Sequence, residues 1–157
     1  MNAHEYYVSH EVAKLLKEAG FDWEVKFFYR DGILRSVLPD VLFNGDFEDV
    51  EYYYKHIGIP HQSLDYNDGS SKFLEEYSAP TLDVAQRWLR EVKGLHICVK
   101  ADAASINCKY FVTVIISDTK WGNVQDENMK TILFNTYEEA QEAGVQKCLT
   151  ILLNESK

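Results

Sequence analysis

A chain of 157 residues with 46% hydrophobic and 26% charged side chains has the size and composition of one globular domain, able to close a core without disulfides or metals, and these figures exclude a disordered chain. Its net charge of −9 opposes general nucleic-acid affinity, which depends on Lys and Arg neutralising phosphates. The longest apolar run, Phe111–Ile116, is far short of a bilayer span, and the opening MNAHEYYVSHE lacks a basic-then-apolar signal pattern. The expectation is a soluble, cytoplasmic protein with no membrane partner. Three cysteines, Cys98, Cys108 and Cys148, odd in number and without CxxC spacing, suit a reducing compartment. The charge is uneven: residues 1–80 carry 15 acidic and 7 basic side chains, residues 81–157 carry 10 and 9.

The first helix is signalled by Ser9 as N-cap, Glu11 in the first turn, Val12, Leu15, Leu16 and Ala19 on one face, and Gly20 as the stop, with Phe21 folding back. Trp23–Tyr29 and Ile33–Leu38 read as strands, joined by Asp31-Gly32, a pair suited to a hairpin turn with positive φ at both positions. Phe47, Val50, Tyr54 and Ile57 recur at helical spacing from Asp46 to a stop at Gly58. Residues 58–79, punctuated by Pro60, Gly69 and paired serines, read as a connection. In YSAPTLDVAQRWLRE (Tyr77–Glu91), Thr81 caps a third helix, Asp83 complements its dipole, and Leu82, Ala85, Trp88, Leu89 and Val92 form the apolar stripe up to Gly94. Strands are expected at Leu95–Lys100, Tyr110–Ile116 and Lys130–Phe134. A capping box at Thr136-Tyr137-Glu138-Glu139 opens the last helix, with Ala140, Ala143, Cys148, Ile151 and Leu152 inward.

The expected fold is α+β, small antiparallel sheets packed on amphipathic helices in the order αββα then αβββα. It reads as a single domain over 1–157, divisible into an αββα half (1–60), a connection (61–79) and an αβββα half (80–157). The halves open alike, Ser9-His10-Glu11-Val12-Ala13 against Thr81-Leu82-Asp83-Val84-Ala85, which either a duplication or the convergence of capped amphipathic helices would produce.

The blocks YSAPTLDVAQRWLRE and FNTYEEAQEAGVQKCLTIL, in that order with strands between them, resemble a group of small uncharacterised proteins encoded by gut Bacteroidales and their phages and mobile elements. The resemblance covers residues 77–153, with a looser echo in VAKLLKEAGFDW. It implies a host and a genomic setting, and no chemistry.

Candidate ligands are weak. His56 and His61, followed by Asp65 and Asp68, do not have the i,i+4 spacing of a helical zinc pair and add no cysteine. Asp65-Tyr66-Asn67-Asp68-Gly69 with Glu76 echoes a calcium loop, but Gly69 stands where a ligand is needed and Ser70 where the glycine is. No metal or other cofactor is expected. No serine has a glycine-flanked elbow, no cysteine a neighbouring histidine, and no glycine-rich phosphate loop is present. Arg87, Arg90 and Lys93 share a helix face and read as a solvated edge paired with Glu91 and Asp83.

Asp46, Glu48, Asp49 and Glu51 form an acidic run with no Lys or Arg between Ser36 and Tyr54. Such acids suit a helix start, and they also suit an interface. Tyr52, Tyr53 and Tyr54 follow, and an exposed tyrosine there would supply amphipathic contact area. Trp121 lies in Asp118–Asn123, read as a polar loop too long for a tight hairpin, where it either folds onto the sheet or makes contacts. The expected function is a non-catalytic protein-binding module whose partner is another protein, basic where it meets these acids. The alternatives are an enzyme with an unrecognised site and an RNA-binding domain. The αβββα order is that of double-stranded RNA-binding domains, but Glu138, Glu139 and Glu142 stand where phosphate-binding lysines would be required.

Overall fold

The structure, a computed structural model, describes residues 7–36, 67, 76–105 and 107–155. The chain is α+β: these residues form three helices and two antiparallel three-stranded sheets. They fall into two compact units, Ser9–Pro80 and Thr81–Lys157, and Tyr7 and Val8 belong to the second. The helix expected from Asp46 to Ile57 lies outside the described residues.

In the Ser9–Pro80 unit, α1 (His10–Glu18) is capped by the Ser9 hydroxyl, which accepts from Val12 N at 3.4 Å. It ends at Gly20, whose φ of 85° brings the Gly20 amide to Lys17 O and the Phe21 amide to Leu16 O, the paired bonds of a Schellman stop. Phe21 thereby folds under the helix and is buried with Leu16. The buried stripe is Val12, Ala13 and Leu16, a rotation from the expected face that leaves Leu15 and Ala19 half-buried. β1 (Phe27–Arg30) and β2 (Ile33–Ser36) are joined by Asp31-Gly32, with φ of 53° and 75°, as a two-residue hairpin requires. Trp23–Lys26 precede the ladder and are not part of it.

The connection expected over 58–79 contains a strand. β3 (Glu76–Ser78) pairs with β1 on the side opposite β2, giving the order β2-β1-β3. Its short length and its glutamate hide it from a search for apolar alternation. Glu76 is buried, and Arg30, opposite it in register, donates to its carboxylate from Nε (2.6 Å) and from Nη2. On the other face, His10 of α1 meets the cross-strand pair Tyr29 and Tyr77 edge-on, with centroids 5.2 and 5.5 Å away. Asn67 donates to Phe21 O and accepts from Ser78 N, linking the residue after the α1 stop to β3.

In the Thr81–Lys157 unit, α2 (Leu82–Lys93) is capped by Thr81 and stops at Gly94 in the left-handed region. Leu82, Ala85, Trp88 and Leu89 are buried as expected, but Val92 is 51% exposed. Its place is taken by Leu95, which is buried and whose amide reaches back to Leu89 O. β4 (His96–Asp102), β5 (Lys109–Ser117) and β6 (Lys120–Asn123) form a meander in the order β4-β5-β6. The third strand is thus Lys120–Asn123, where a loop was expected, and the turn before it is only Asp118-Thr119. Lys130–Phe134 keeps its alternation, Ile132 and Phe134 being half-buried and Leu133 exposed. It forms only single bridges, because Thr131 meets Gln125 whereas Phe134 crosses to Tyr110 on β5.

α3 (Tyr137–Glu155) opens with the expected capping box: Glu139 N donates to Thr136 Oγ1 (3.1 Å), and the Glu139 carboxylate accepts from the amides of Asn135 and Thr136. Its buried residues are Ala140, Gln141, Gly144, Val145, Cys148 and Leu149, while Ala143, Ile151 and Leu152 are half-buried. The two helix starts share their cap geometry, although the sheets that follow are strung in different orders.

Candidate interaction site

The surface feature of the second unit arises from how two helices cover three strands. α2 packs on β4 and α3, and α3 packs on β4 and β5, whereas the chief neighbour of β6 is β5. α3 is drawn close to the sheet because Gly144 faces Ile97 and Val112 without a side chain between. It is locked sideways by a part-buried amide chain: Gln141 Nε2 donates to Asp83 Oδ1 (2.9 Å) and Gln86 Oε1 (2.8 Å), and Gln86 Nε2 donates to Ile97 O (2.9 Å). Asp83 is therefore bound to Gln141, and the arginine partners expected for it go to Glu91, at 3.9 Å from Arg87 and 3.4 Å from Arg90. Lys93 lies over the Trp88 ring.

With the helices held over β4 and β5, the helix-side face of β6 stays open. A groove of about 340 Å³ opens there, lined by Val114 and Ile116 of β5, Lys120, Trp121 and Gly122 of β6, and Lys147 and Ile151 of α3. The register slips by one between Ile115 and Ser117, a bulge that twists β6 relative to β5. A Cβ placed on Gly122 would meet nothing within 4 Å. Lys120 is held 3.6 Å from Glu155. Asn123 is engaged on both sides, accepting from Thr113 Oγ1 (2.7 Å) and donating to Thr131 Oγ1 (3.3 Å). Trp121, on the same strand and paired across to Ile115, is 66% exposed, so it does not fold back onto the sheet.

Of the sequence-derived interaction residues, only Trp121 falls on described positions; Asp46, Glu48, Asp49, Glu51, Tyr52, Tyr53 and Tyr54 lie outside them, as do His56, His61, Asp65 and Asp68. Among the described residues no three His, Cys, Asp or Glu side chains stand where they could share a metal ion, and no helix is long and apolar enough to cross a membrane. Burial pushes the Cys148 thiol up to about 12, which keeps it protonated and unreactive. Glu138 and Glu139 do occupy the first turn of α3, and the Glu139 carboxylate is committed to the cap. Sequence reasoning missed Gly122, Lys147, Gln141 and the Arg30–Glu76 pair. The one available signal was the alternation of Lys120 and Gly122 against Trp121 and Asn123. Comparison of the chain with known protein families, curated proteins and solved structures finds no match.

Proposed function

We propose that this chain is a non-catalytic protein-binding module, an accessory protein of a phage or mobile element of gut Bacteroidales that works in the host cytoplasm. The observation that carries the reading is Trp121, two-thirds exposed on the terminal strand of its sheet and lining an open groove. A tryptophan left in water forgoes the burial its large apolar area would gain, and at interfaces this residue type supplies a disproportionate share of affinity. The acidic run Asp46–Glu51 adds steering toward a basic region of the partner. The test is affinity capture from Bacteroidales lysate using the unaltered chain, Trp121→Ala, and a variant with Asp46, Glu48, Asp49 and Glu51 changed to Ser. A specific partner should be lost with Trp121→Ala and weakened, most at low salt, by the acid replacements. A partner held equally by all three proteins removes the reading.

A further inference from the structure

The groove on the helix side of β6 has three properties that the fold itself does not demand. Gly122 is one. Its φ is not in the left-handed region, so its backbone accommodates any residue, and glycine inside a strand weakens it. What glycine leaves is room: nothing lies within 4 Å of where its Cβ would be, in a groove that Val114, Ile116 and Ile151 also line. The second is charge. Lys120 is already matched by Glu155, whereas Lys147, exposed on α3 at the rim, makes no ion pair among the described residues. The third is size. About 340 Å³ lies at the small end of ligand sites, enough for one or two side chains of a chain segment and too little for a dinucleotide or a whole helix.

We propose that this groove docks an extended acidic peptide segment of the partner, which inserts one aliphatic or aromatic side chain over Gly122 and sets a carboxylate against Lys147. The inference rests on the protein-binding reading and names the chemistry of what is bound. A segment running along Lys120–Gly122 also meets a strand with a ladder partner on one side only, since β6 ends its sheet among the described residues and Thr131–Ile132 reach only Asn123–Gln125, and added-strand pairing supplies main-chain hydrogen bonds while alternate side chains enter pockets. The acidic segment complements Lys147, and it is a different part of the partner from the basic region facing Asp46–Glu51.

The test is selection of a random-sequence displayed peptide library on the full chain, followed by fluorescence anisotropy of the enriched peptides. The expected peptides place Asp or Glu near a Leu, Ile, Phe or Trp. Gly122→Val, which fills the groove, and Lys147→Glu, which reverses its charge, should each weaken binding by about tenfold or more. Gly122→Val should melt no lower than the unaltered chain, since a β-branched residue suits a strand; should it misfold, Gly122→Ala serves in its place with a smaller effect of the same sign. Enriched peptides that ignore Gly122→Val and Lys147→Glu but are lost with Trp121→Ala overturn docking over Gly122 and against Lys147, and leave the protein-binding reading standing. Peptides without acids, or no enriched peptide together with octanoate binding that Gly122→Val blocks, overturn the peptide occupant. Failure of affinity capture as well would remove both.

Discussion

At Gly144 a single methyl group sets two effects against each other. Alanine is favoured over glycine inside a helix by about 1 kcal/mol, but a Cβ here would lie 2.6 Å from Ile97 Cγ2 and 2.8 Å from Val112 Cγ2. Relieving two such overlaps in a packed layer costs about 1–3 kcal/mol, and β-branched neighbours have few rotamers in which to retreat. Gly144→Ala should therefore lower stability to urea, and a stabilised variant would show that α3 can lift from the sheet cheaply. Trp88, fully buried, should cost about 3–5 kcal/mol as Trp88→Ala. Its neighbour Arg87, more than half exposed and 3.9 Å from Glu91, should stay within about 0.5 kcal/mol as Arg87→Ala. Cys148 makes a pH prediction. Its thiol ionises near 9.0 when unfolded and only near 12 in the folded chain, so the native state holds the proton longer and stability falls as pH rises through that interval. A thiol reagent at pH 8 should label exposed Cys108 in the native protein and reach Cys148 only on unfolding, and rapid native labelling of Cys148 would refute its burial.

At the scale of elements, the chain's caps and stops are where local sequence and structure agree most closely. Ser9, Thr81 and Thr136 each cap a helix, and Gly20 and Gly94 turn the chain out of one, because these roles need only a side-chain oxygen within three residues or a positive φ. Glu139→Ala should cost about 1 kcal/mol in thermal or urea unfolding, since the amides of Asn135 and Thr136 lose their acceptor. What sequence could not show depends on partners distant in the chain. β3 exists because β1 offers it an edge and Arg30 neutralises Glu76, neither visible at positions 76–78 alone. Lys130–Phe134 has the right alternation, yet its neighbours change midway and no continuous ladder forms. Within the described residues the candidate site was legible only as Trp121; the groove needs α3 to pack chiefly on β4 and β5, and Gln141, which fixes α3 sideways, reads in sequence as an ordinary surface glutamine. Gln141→Ala should cost about 1 kcal/mol, more than a surface change, because buried Gln141 loses its hydrogen bonds to Asp83 and Gln86.

For the whole molecule, a charge of −9 makes phosphate an unfavourable neighbour. An electrophoretic shift with duplex RNA or DNA at about 50 mM salt, where electrostatic attraction is strongest, should be absent; a salt-sensitive complex would favour the RNA-binding alternative. The division of the chain has another consequence, which follows from Tyr7 and Val8. Tyr7 bridges to Thr81 and Val8 is fully buried, and both belong with the unit that begins at Thr81. The unit of Ser9–Pro80 is thus strung between two neighbouring points of the other. A ribosome delivers residues in order at about 5–20 per second, so Tyr7 and Val8 emerge ahead of Ser9–Pro80 and then wait several seconds for the bulk of their unit to be made. Ser9–Pro80 leaves the tunnel during that interval, so α1 and β1–β3 can pair first, while Tyr7 and Val8, made before them, find their place later. Chains stalled far enough beyond Pro80 for that residue to have cleared the tunnel, but before β5 is released, should accordingly protect α1 and β1–β3 from protease while leaving Tyr7 and Val8 open to cleavage.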